Sequence, residues 1–259
     1  MSHVFQPTIP VFIGYDGKES AAYHVLAHSI MRRSSMPVSI TPIRKSNFPP
    51  GVYNREVDAR ASTEFSLTRF LTPYLLDYKG WGIFMDCDML FQDDIAKLFR
   101  LRDDDYDVMC CKHDYQPTTE TKMLGARQHS YPKKNWSSVM MFNAAKCQIL
   151  TPYYVNRASP AELHQMFWAH GAKAIGDLPL KWNWLVGEYG HHEKPSNLHW
   201  TLGGPWWHAY ADTPYADVWR EELRSMLNEN GDEFTAAAVL MHTAQKHRDA
   251  AMERQAASA

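Results

Sequence analysis

Two aspartates directly after an apolar segment are the strongest chemical signal in the chain. The segment Trp81–Leu90 reads WGIFMDCDML, so Asp86 and Asp88 follow a predicted buried strand. Residues i and i+2 of an extended chain project from one face, which brings both carboxylates together. Two carboxylates in one cleft repel each other unless a positive charge lies between them. The pattern therefore predicts a site for Mg²⁺ or Mn²⁺, with a surface turn or helix cap as the alternative.

A third ligand for such a metal has to come from elsewhere in the chain. His199 lies in the sequence NLHWTLGGPW, on a predicted short strand that is followed by Gly203 and Gly204. An imidazole can ligate a metal, and glycines let the backbone approach a phosphate closely. A lone histidine on an apolar strand can equally be a hydrogen-bonded core residue, so His199 becomes a ligand only if the fold brings it to the aspartates.

Two further polar groups fall near the same predicted edge. Arg69 precedes the strand that carries the aspartates and could bind a diphosphate, or lie on the surface. Gly14, Tyr15 and Asp16 end the first predicted strand and could hold a nucleotide base and ribose. Asp16 can also cap the next helix. Ligands of α/β sheets bind outside the carboxyl ends of the strands, which is where these residues are expected.

The elements that must position these residues begin with a β-α-β unit. Residues 10–14 form a predicted buried strand, and Asp16 and Glu19 have the spacing of a capping box. An amphipathic helix over 23–30 and a second strand over 38–43 follow. This order is the opening of a parallel α/β sheet.

Later apolar segments continue the same alternation. Pro73 is expected to kink or restart a helical segment over 67–75. The remaining predicted strands cover 81–85, 106–111, 138–142 and 198–201, and the remaining predicted helices cover 95–99, 160–169, 216–227 and 234–247. The fold class is therefore α/β, with a mixed, mainly parallel sheet flanked by helices and a short C-terminal helical tail. We expect one main domain over 1–210 and a helical appendage over 211–259 with a frayed end.

Composition excludes several classes of protein. The 27 basic and 29 acidic residues leave a formal charge of −2, which argues against nucleic acid as a partner. No apolar segment is long enough to span a membrane, and the start lacks the features of a signal peptide. The four cysteines, Cys87, Cys110, Cys111 and Cys147, form no C-x-x-C pair and are expected to be free thiols in a cytoplasmic protein.

Other motifs add little or exclude activities. G-x-S-x-G, P-loop and G-x-G-x-x-G motifs are absent, which argues against hydrolase, NTPase and dinucleotide-binding functions. The adjacent pair His191–His192 is not expected to converge on a metal. Seven of the nine tryptophans lie between Trp168 and Trp219, which hints at a carbohydrate site because sugars stack on such rings.

Taken in order, the motifs resemble glycosyltransferase family 8, a retaining, metal-dependent family with the GT-A fold, and they look like a bacterial-type member. The resemblance spans residues 10–206. It is carried by FIGYDGKESAAYHVLAHSI, SLTRFLTPYLL, FMDCDMLFQDDIAKLF, LPLKWNWL and HWTLGGPW.

The resemblance implies roles for the candidate residues. Asp86, Cys87 and Asp88 match the D-x-D at which the metal and the donor bind, and His199 matches the third metal ligand. Gly14, Tyr15 and Asp16 fall where relatives hold the uridine.

It also implies three catalytic or donor-contacting residues. Arg69 matches a basic position that contacts the donor. Asn183 matches an asparagine that follows an aromatic residue in relatives. Gln165 falls near a D-Q pair beside the donor sugar, and this chain has His164 in place of the aspartate.

The chain departs from the family pattern in two places. The usual H-x-x-G-x-x-K-P-W is shortened to HWTLGGPW and lacks the lysine, so phosphate contact is expected to pass to the backbone N–H groups of Gly203 and Gly204 or to an arginine. The N-S-G entry to a strand is replaced by residues 135–138, NWSS. The donor-sugar or acceptor pocket is therefore expected to be rebuilt.

The expected function is carbohydrate biosynthesis by transfer of a hexose from a UDP-sugar to a saccharide or glycolipid acceptor, with Mn²⁺ or Mg²⁺ as cofactor. The family retains anomeric configuration, and front-face attack is expected because no carboxylate stands out as a nucleophile. The segments 112–135 and 182–207 are expected to shape the acceptor side. A glycolipid acceptor would be compatible with peripheral contact at the inner membrane face.

Three other functions remain open. A relative whose turnover is abolished by the missing lysine could act as a binding protein. A haloacid-dehalogenase-type phosphatase also carries D-x-D after a buried strand, although its motif lies nearer the N-terminus and Leu90 stands where Thr or Val is usual. A carbohydrate-binding module would explain the tryptophans but not the aspartates.

Overall fold

The computed structural model of the chain describes residues 7–56, 63–114, 121–122, 126–127, 132–191 and 194–227. Eleven strands and six helices are assigned there, together with short 3-10 turns. The strands are β1 Ile9–Gly14, β2 Val38–Ile43, β3 Trp81–Met85, β4 Met89–Phe91, β5 Val108–Cys110, β6 Thr121–Lys122, β7 Ala126–Arg127, β8 Val139–Asn143, β9 Ile175–Asp177, β10 Trp184–Leu185 and β11 Asn197–His199. The helices are α1 Ser20–Arg33, α2 Thr72–Leu75, α3 Ile95–Phe99, α4 Pro152–Val155, α5 Pro160–His164 and α6 Ala216–Leu227.

A six-stranded sheet in the order β2-β1-β3-β8-β5-β9 forms the centre of the fold. Strands β1, β2 and β3 are parallel, β8 runs antiparallel to both of its neighbours, and β9 is parallel to β5. Five of the six strands therefore point in one direction. Strands β3, β5 and β8 are buried along their whole length, which explains their continuous apolar runs. The expected mixed, mainly parallel α/β sheet is confirmed.

A second, three-stranded sheet brings the late part of the chain back to the end of β3. Its order is β10-β11-β4, with β11 parallel to β10 and antiparallel to β4. His199 pairs with Met89, the first residue of β4. The residue before Met89 is Asp88, so this register carries His199 to the D-x-D segment.

Most predicted elements are present, with changed ends. The helical segment over 67–75 does restart, as a 3-10 turn over Thr68–Leu71 followed by α2 with Pro73 in its first turn. The helix expected over 160–169 ends at His164, and Met166 has a φ of 56°, in the left-handed region. The strand expected over 106–111 is limited to β5.

The predicted capping box of Asp16 and Glu19 is wrong. Asp16 does cap the 3-10 turn Gly17–Glu19, and its Oδ1 accepts the Lys18 N–H at 2.9 Å. The Glu19 side chain does not return to the cap but is buried under the D-x-D segment, 3.7 Å from the Cys87 Sγ. The 3-10 turn Gly17–Glu19 therefore places one buried carboxyl group beside Cys87.

The chain divides into two compact units, residues 1–216 and 217–259. The domain boundary expected after residue 210 stays a prediction. The helix expected over 234–247 and the frayed end lie outside the described residues. No helix in the described part of the chain is both long enough and apolar enough to cross a membrane.

Candidate active site

The D-x-D segment is held at both ends by backbone hydrogen bonds that extend the two sheets. Asp86 N–H donates to the Ser138 carbonyl at 2.9 Å, one residue beyond the β3–β8 pairing. The Asp88 carbonyl accepts the Trp200 N–H at 2.9 Å, one residue beyond the β4–β11 pairing. The turn between the two sheets therefore fixes both aspartates on a rigid frame.

Asp86, Asp88 and His199 converge at this turn. One potential ligand atom from each residue lies within 4.8 Å of the others. Asp88 and His199 are buried, and the Asp86 side chain is 16% exposed. Two carboxylate oxygens and one imidazole nitrogen form a donor set that suits Mn²⁺ or Mg²⁺ with water and phosphate completing the coordination.

The orientation of the His199 ring fits a metal ligand. Its Nδ1 lies 2.8 Å from the Asn183 Oδ1, and its Nε2 lies 3.3 Å from the Asp88 Oδ1. An amide oxygen can only accept, so Nδ1 carries the proton and the lone pair of a neutral ring is on Nε2. A lone pair that faces a carboxylate oxygen is repulsive, and a cation bound by both atoms removes that repulsion.

Arg69 is the positive group of this site. It is 5% exposed, and its Nη1 lies 2.8 Å from the Asp86 Oδ1 and donates to the Ser137 carbonyl at 2.8 Å. Its Nε donates to the Ser66 carbonyl at 2.9 Å. Arg69 is therefore positioned by two backbone carbonyls and neutralises one of the two aspartates.

Glu19 adds a buried carboxyl group behind the aspartates. Burial, and then the charges of Asp88, Asp16 and Asp86, raise the pKa of Glu19 well above its ordinary value. The protonated form is favoured, because a further negative charge here would be neither solvated nor balanced. Asp86, Asp88 and Arg69 together then leave one excess negative charge at the turn.

Cys87, between the aspartates, points away from the cleft. Its side chain is fully buried and its Sγ–H faces the Glu19 Oε2. Only its backbone could contribute to the predicted donor contact. All four cysteines are free and buried, as the sequence predicts.

The residues predicted to hold the nucleotide lie at the same sheet edge. β1 and β3 are parallel neighbours with Ile13 opposite Met85, so Gly14 comes beside Asp86. A Cβ on Gly14 would lie 2.3 Å from the Phe65 ring, so ring packing alone already requires glycine there. Asp16 is 4% exposed, and its second oxygen accepts the Glu64 N–H at 3.1 Å. The ribose contact predicted for Asp16 would have to share an oxygen that already binds the backbone.

Tyr15 is better placed for a ligand. It is half-buried, its hydroxyl donates to the Ser20 Oγ at 3.2 Å, and the Arg44 guanidinium lies 5.3 Å from its ring centre. The ring is therefore held in place while part of it stays accessible.

The Gly203–Gly204 turn is closed by aromatic side chains. Gly203 has a φ of 130°, and its N–H donates to the Trp200 carbonyl at 2.9 Å. A Cβ on Gly203 would lie 2.7 Å from the Tyr210 ring, and a Cβ on Gly204 would lie 2.1 Å from the Trp206 ring. The phosphate contact predicted for Gly203 and Gly204 stays a prediction, and in this conformation the Gly203 N–H is donated within the turn.

The three predicted catalytic residues have different surroundings. Arg69 lies against Asp86 at the D-x-D turn. Asn183 is fully buried and its Oδ1 lies 2.8 Å from the His199 Nδ1, and the donor contact predicted for Asn183 stays a prediction. Gln165 is the residue after α5 and is half-buried, and its backbone carbonyl accepts a hydrogen bond from the Lys133 Nζ at 2.5 Å.

His164 and Arg69 meet at Ser137. The His164 Nδ1 lies 2.8 Å from the Ser137 Oγ, and the carbonyl of Ser137 accepts from Arg69. The position at which relatives carry an aspartate is thus connected to the D-x-D through one serine. Sequence reasoning missed Ser137 and Glu19, and no motif marks either residue.

His113 was also missed, although its place in the chain carries a signal. It lies three residues beyond β5, past the carboxyl end of a strand that shares its direction with β3. Its side chain is bound to Asn183 and Tyr189 at 2.9 and 2.7 Å. His191 stacks on Tyr215, and His192 lies outside the described residues.

Comparison with known proteins gives a clear relative. No family model matches the chain. Protein CDI of Arabidopsis thaliana is 46% identical over 231 residues, which cover 86% of this chain and 89% of that protein. The chain belongs to the Protein CDI family.

Solved structures similar to this CDI-family chain are glycosyltransferases. The bifunctional glycosyltransferase WbbM in its apo form has a TM-score of 0.59 and 14% identity, and GlyE of Streptococcus pneumoniae has a TM-score of 0.57 and 13% identity. Each comparison covers 86% of this chain, which spans only 50% of the WbbM chain and 63% of the GlyE chain. The galactosyltransferase LgtC, solved with donor and acceptor sugar analogues, has a TM-score of 0.56 and 10% identity over 84% of this chain and 96% of its own. At these identities the likeness shows the fold, and that fold is GT-A.

Proposed function

We propose that the chain is a metal-dependent, retaining glycosyltransferase of the family 8 type, which transfers a hexose from a UDP-sugar to a saccharide or glycolipid acceptor. One observation supports this above all others. In a GT-A fold, Asp86, Asp88 and His199 converge at the carboxyl end of a buried strand with a donor set suited to Mn²⁺ or Mg²⁺. LgtC, which shares the fold, is a galactosyltransferase solved with donor and acceptor sugar analogues.

Asp86, Asp88 and His199 are the residues that would hold the metal. When bound, the cation supplies Lewis acidity that stabilises the charge on a leaving diphosphate. The single excess negative charge of the site without a metal becomes a single positive charge with a divalent ion. That balance favours a diphosphate over a neutral ligand.

Arg69 is proposed to add fixed positive potential next to the diphosphate. Its guanidinium is oriented before any ligand arrives, because the carbonyls of Ser66 and Ser137 fix two of its nitrogens. A preorganised charge of this kind stabilises a transition state without reorganisation during the reaction. Because Gly203 uses its N–H within its own turn, Arg69 carries the role that relatives give to the missing lysine.

The remaining candidate residues are assigned to the donor side and the acceptor side of the site. Gly14 and Tyr15 are proposed to contact the uridine. Gln165 and its neighbour His164 are proposed to contact the donor sugar. The partly exposed rings of Trp206 and Trp207, whose centres lie 5.7 Å apart, are proposed to stack on the acceptor saccharide.

Front-face attack is the proposed route to retention, with the leaving diphosphate accepting the acceptor proton. Asp16 and Glu19, two other carboxyl groups that interact with the D-x-D aspartates, are poor nucleophiles, because both oxygens of Asp16 accept backbone N–H groups and Glu19 is buried. A trapped covalent glycosyl–enzyme adduct would contradict this route.

Metal-dependent hydrolysis of the donor tests the function without knowledge of the acceptor. A panel of UDP-hexoses is incubated with the protein and Mn²⁺, and release of UDP is followed for wild type, Asp88→Asn and Asp77→Asn. Asp77 is the matched control, because it is an exposed aspartate before β3 rather than after it. We expect hydrolysis in wild type and Asp77→Asn and its loss in Asp88→Asn. Binding of UDP without any hydrolysis would instead favour the impaired relative, and phosphate release from phosphomonoesters would favour the phosphatase.

A further inference from the structure

A continuous chain of hydrogen bonds, buried from Ser138 onward, runs from the Asn135 carbonyl through Ser138 and Asn183 to His199. We propose that Ser138, Asn183 and His113 form a positioning relay that fixes the tautomer of His199 and so presents its bare Nε2 to the cation. The proposal rests on the proposed function in one respect only, which is that the partner of the Nε2 is a metal cation. The relay itself can be examined without metal or nucleotide.

The relay is anchored on a group that cannot reverse its role. The Ser138 hydroxyl lies 2.6 Å from the Asn135 carbonyl oxygen, which can only accept. The hydrogen of that hydroxyl is therefore committed to Asn135. The Ser138 Oγ is left with lone pairs toward Asn183, whose side-chain nitrogen lies 2.8 Å away.

This anchor settles the orientation of the Asn183 amide. One N–H of the Asn183 NH₂ group donates to Ser138, and the other faces the His113 Nε2 at 2.9 Å. A flipped amide would direct its oxygen at the Ser138 lone pairs and at the Asn135 carbonyl, which is 3.4 Å from the present nitrogen. The amide oxygen consequently has to face His199.

His113 holds the other side of the amide. Burial, and then the neighbouring His199, lower the pKa of His113 to about 3, so the ring is neutral and its Nε2 can accept. Its Nδ1–H then donates to the Tyr189 hydroxyl at 2.7 Å. The hydrogen bonds that join Ser138, Asn183, His113 and Tyr189 thus each have a donor and an acceptor that are consistent with their neighbours.

The consequence for His199 is a single tautomer. Its Nδ1 lies 2.8 Å from the Asn183 oxygen and has to donate, so the remaining lone pair of the neutral ring is on Nε2, 3.3 Å from the Asp88 Oδ1. A histidine whose tautomer is fixed in advance loses no free energy to reorientation when it ligates a metal. Groups that orient a metal-bound histidine typically change metal affinity by about 10- to 100-fold.

The first experiment reads the tautomer in the metal-free protein by long-range ¹H–¹⁵N correlation spectra of ¹⁵N-histidine-labelled chain. The His199 signals are identified by their absence in His199→Gln. We expect a protonated Nδ1 and a bare Nε2 on His199. A proton on Nε2 with Nδ1 bare would overturn the relay, and this result requires no variant of the relay residues to fold.

The second experiment measures Mn²⁺ affinity alone, by electron paramagnetic resonance of the free ion, for wild type, Asn183→Leu and Asn156→Ala. Asn183→Leu removes the oxygen that accepts from His199 and should lose about 10- to 100-fold in affinity, whereas Asn156→Ala should keep the wild-type affinity. Asn156 is the control, because its amide also makes several hydrogen bonds but makes them to the backbone of Asn54, Val52 and Pro152.

The outcomes separate the relay from the proposed function. Equal Mn²⁺ affinity in wild type and a folded Asn183→Leu variant would overturn the relay. Equal losses in Asn183→Leu and the control Asn156→Ala would do the same, because both would then act through packing. The expected tautomer in a wild-type protein that binds neither Mn²⁺ nor UDP would support the relay and contradict the proposed function.

Discussion

The Nδ1 of His199 and the Oδ1 of Asn183 lie 2.8 Å apart in a fully buried pair, and this contact joins two segments that flank the D-x-D turn. Asn183 immediately precedes β10, and His199 ends the neighbouring β11, where Leu185 is its partner. The short second sheet therefore does more than cover the core. It delivers an oriented imidazole to two carboxylates on the turn that joins β3 of the central sheet to β4.

Arg69→Met should destabilise the protein strongly. The change leaves Asp86 largely buried without its ion-pair partner and leaves the Ser137 carbonyl without its donor, a combination that typically costs about 3–5 kcal/mol. The matched control is Arg100→Met, because Arg100 also pairs with an aspartate but is 58% exposed at 3.7 Å, and such pairs contribute under about 1 kcal/mol. Urea denaturation of both variants measures the difference. Equal losses would mean that the Arg69–Asp86 pair has no special role in holding the turn.

Gly14→Ala should be far more harmful than Gly17→Ala. A Cβ at position 14 would lie 2.3 Å from the Phe65 ring, whereas a Cβ at position 17 meets nothing within 4 Å. Overpacking of a core typically costs about 1–3 kcal/mol, and the displaced Phe65 lies against Phe84 of β3. We expect a clear fall in the free energy of unfolding for Gly14→Ala and little change for Gly17→Ala. A tolerated alanine at 14 would show that Phe65 can move without loss.

Glu19→Gln should stabilise the metal-free protein at neutral pH. The pKa of Glu19 is raised in the folded state, so between the ordinary pKa and the raised one the unfolded chain releases a proton that the folded chain keeps. Wild-type stability therefore falls as the pH rises through that window. The advantage of the Glu19→Gln variant should vanish as the pH falls to about 4, where Glu19 is protonated in both states.

Glu162→Gln is the opposite-sign control for this measurement. Two hydrogen bonds from Ser159 lower the pKa of Glu162, so its contribution is present at neutral pH and is lost on acidification. Unfolding curves in EDTA between pH 4 and 8 compare the variants. An advantage of Glu19→Gln that does not depend on pH would contradict a raised pKa for Glu19.

Much of the site could be predicted from the sequence because its key residues follow local patterns. Asp86 and Asp88 end a strand whose apolar run is unmistakable, and His199 lies on a strand followed by two glycines. Their convergence depends on the register between β4 and β11, which no local pattern specifies. The order of the family motifs was what indicated that the three residues converge.

The remaining features depend on contacts between distant segments. The Asn183–His113 contact spans 70 residues, and the Cys87–Glu19 contact spans 68. The antiparallel direction of β8 could not be read from its composition, because a strand buried on both faces looks the same in either direction. The helix over 160–169 ended early because Met166 adopts a left-handed conformation that its residue type does not signal.

The central claim is tested most directly by calorimetric titration of UDP into the protein, with and without Mn²⁺, for wild type, Asp88→Ala and the control Asp77→Ala. The account predicts that wild type and Asp77→Ala bind UDP only in the presence of Mn²⁺. It predicts that Asp88→Ala, although folded, does not bind under either condition. Binding of UDP that depends neither on Mn²⁺ nor on Asp88 would contradict a metal–diphosphate site at this turn. The absence of any binding by wild type would contradict it as well.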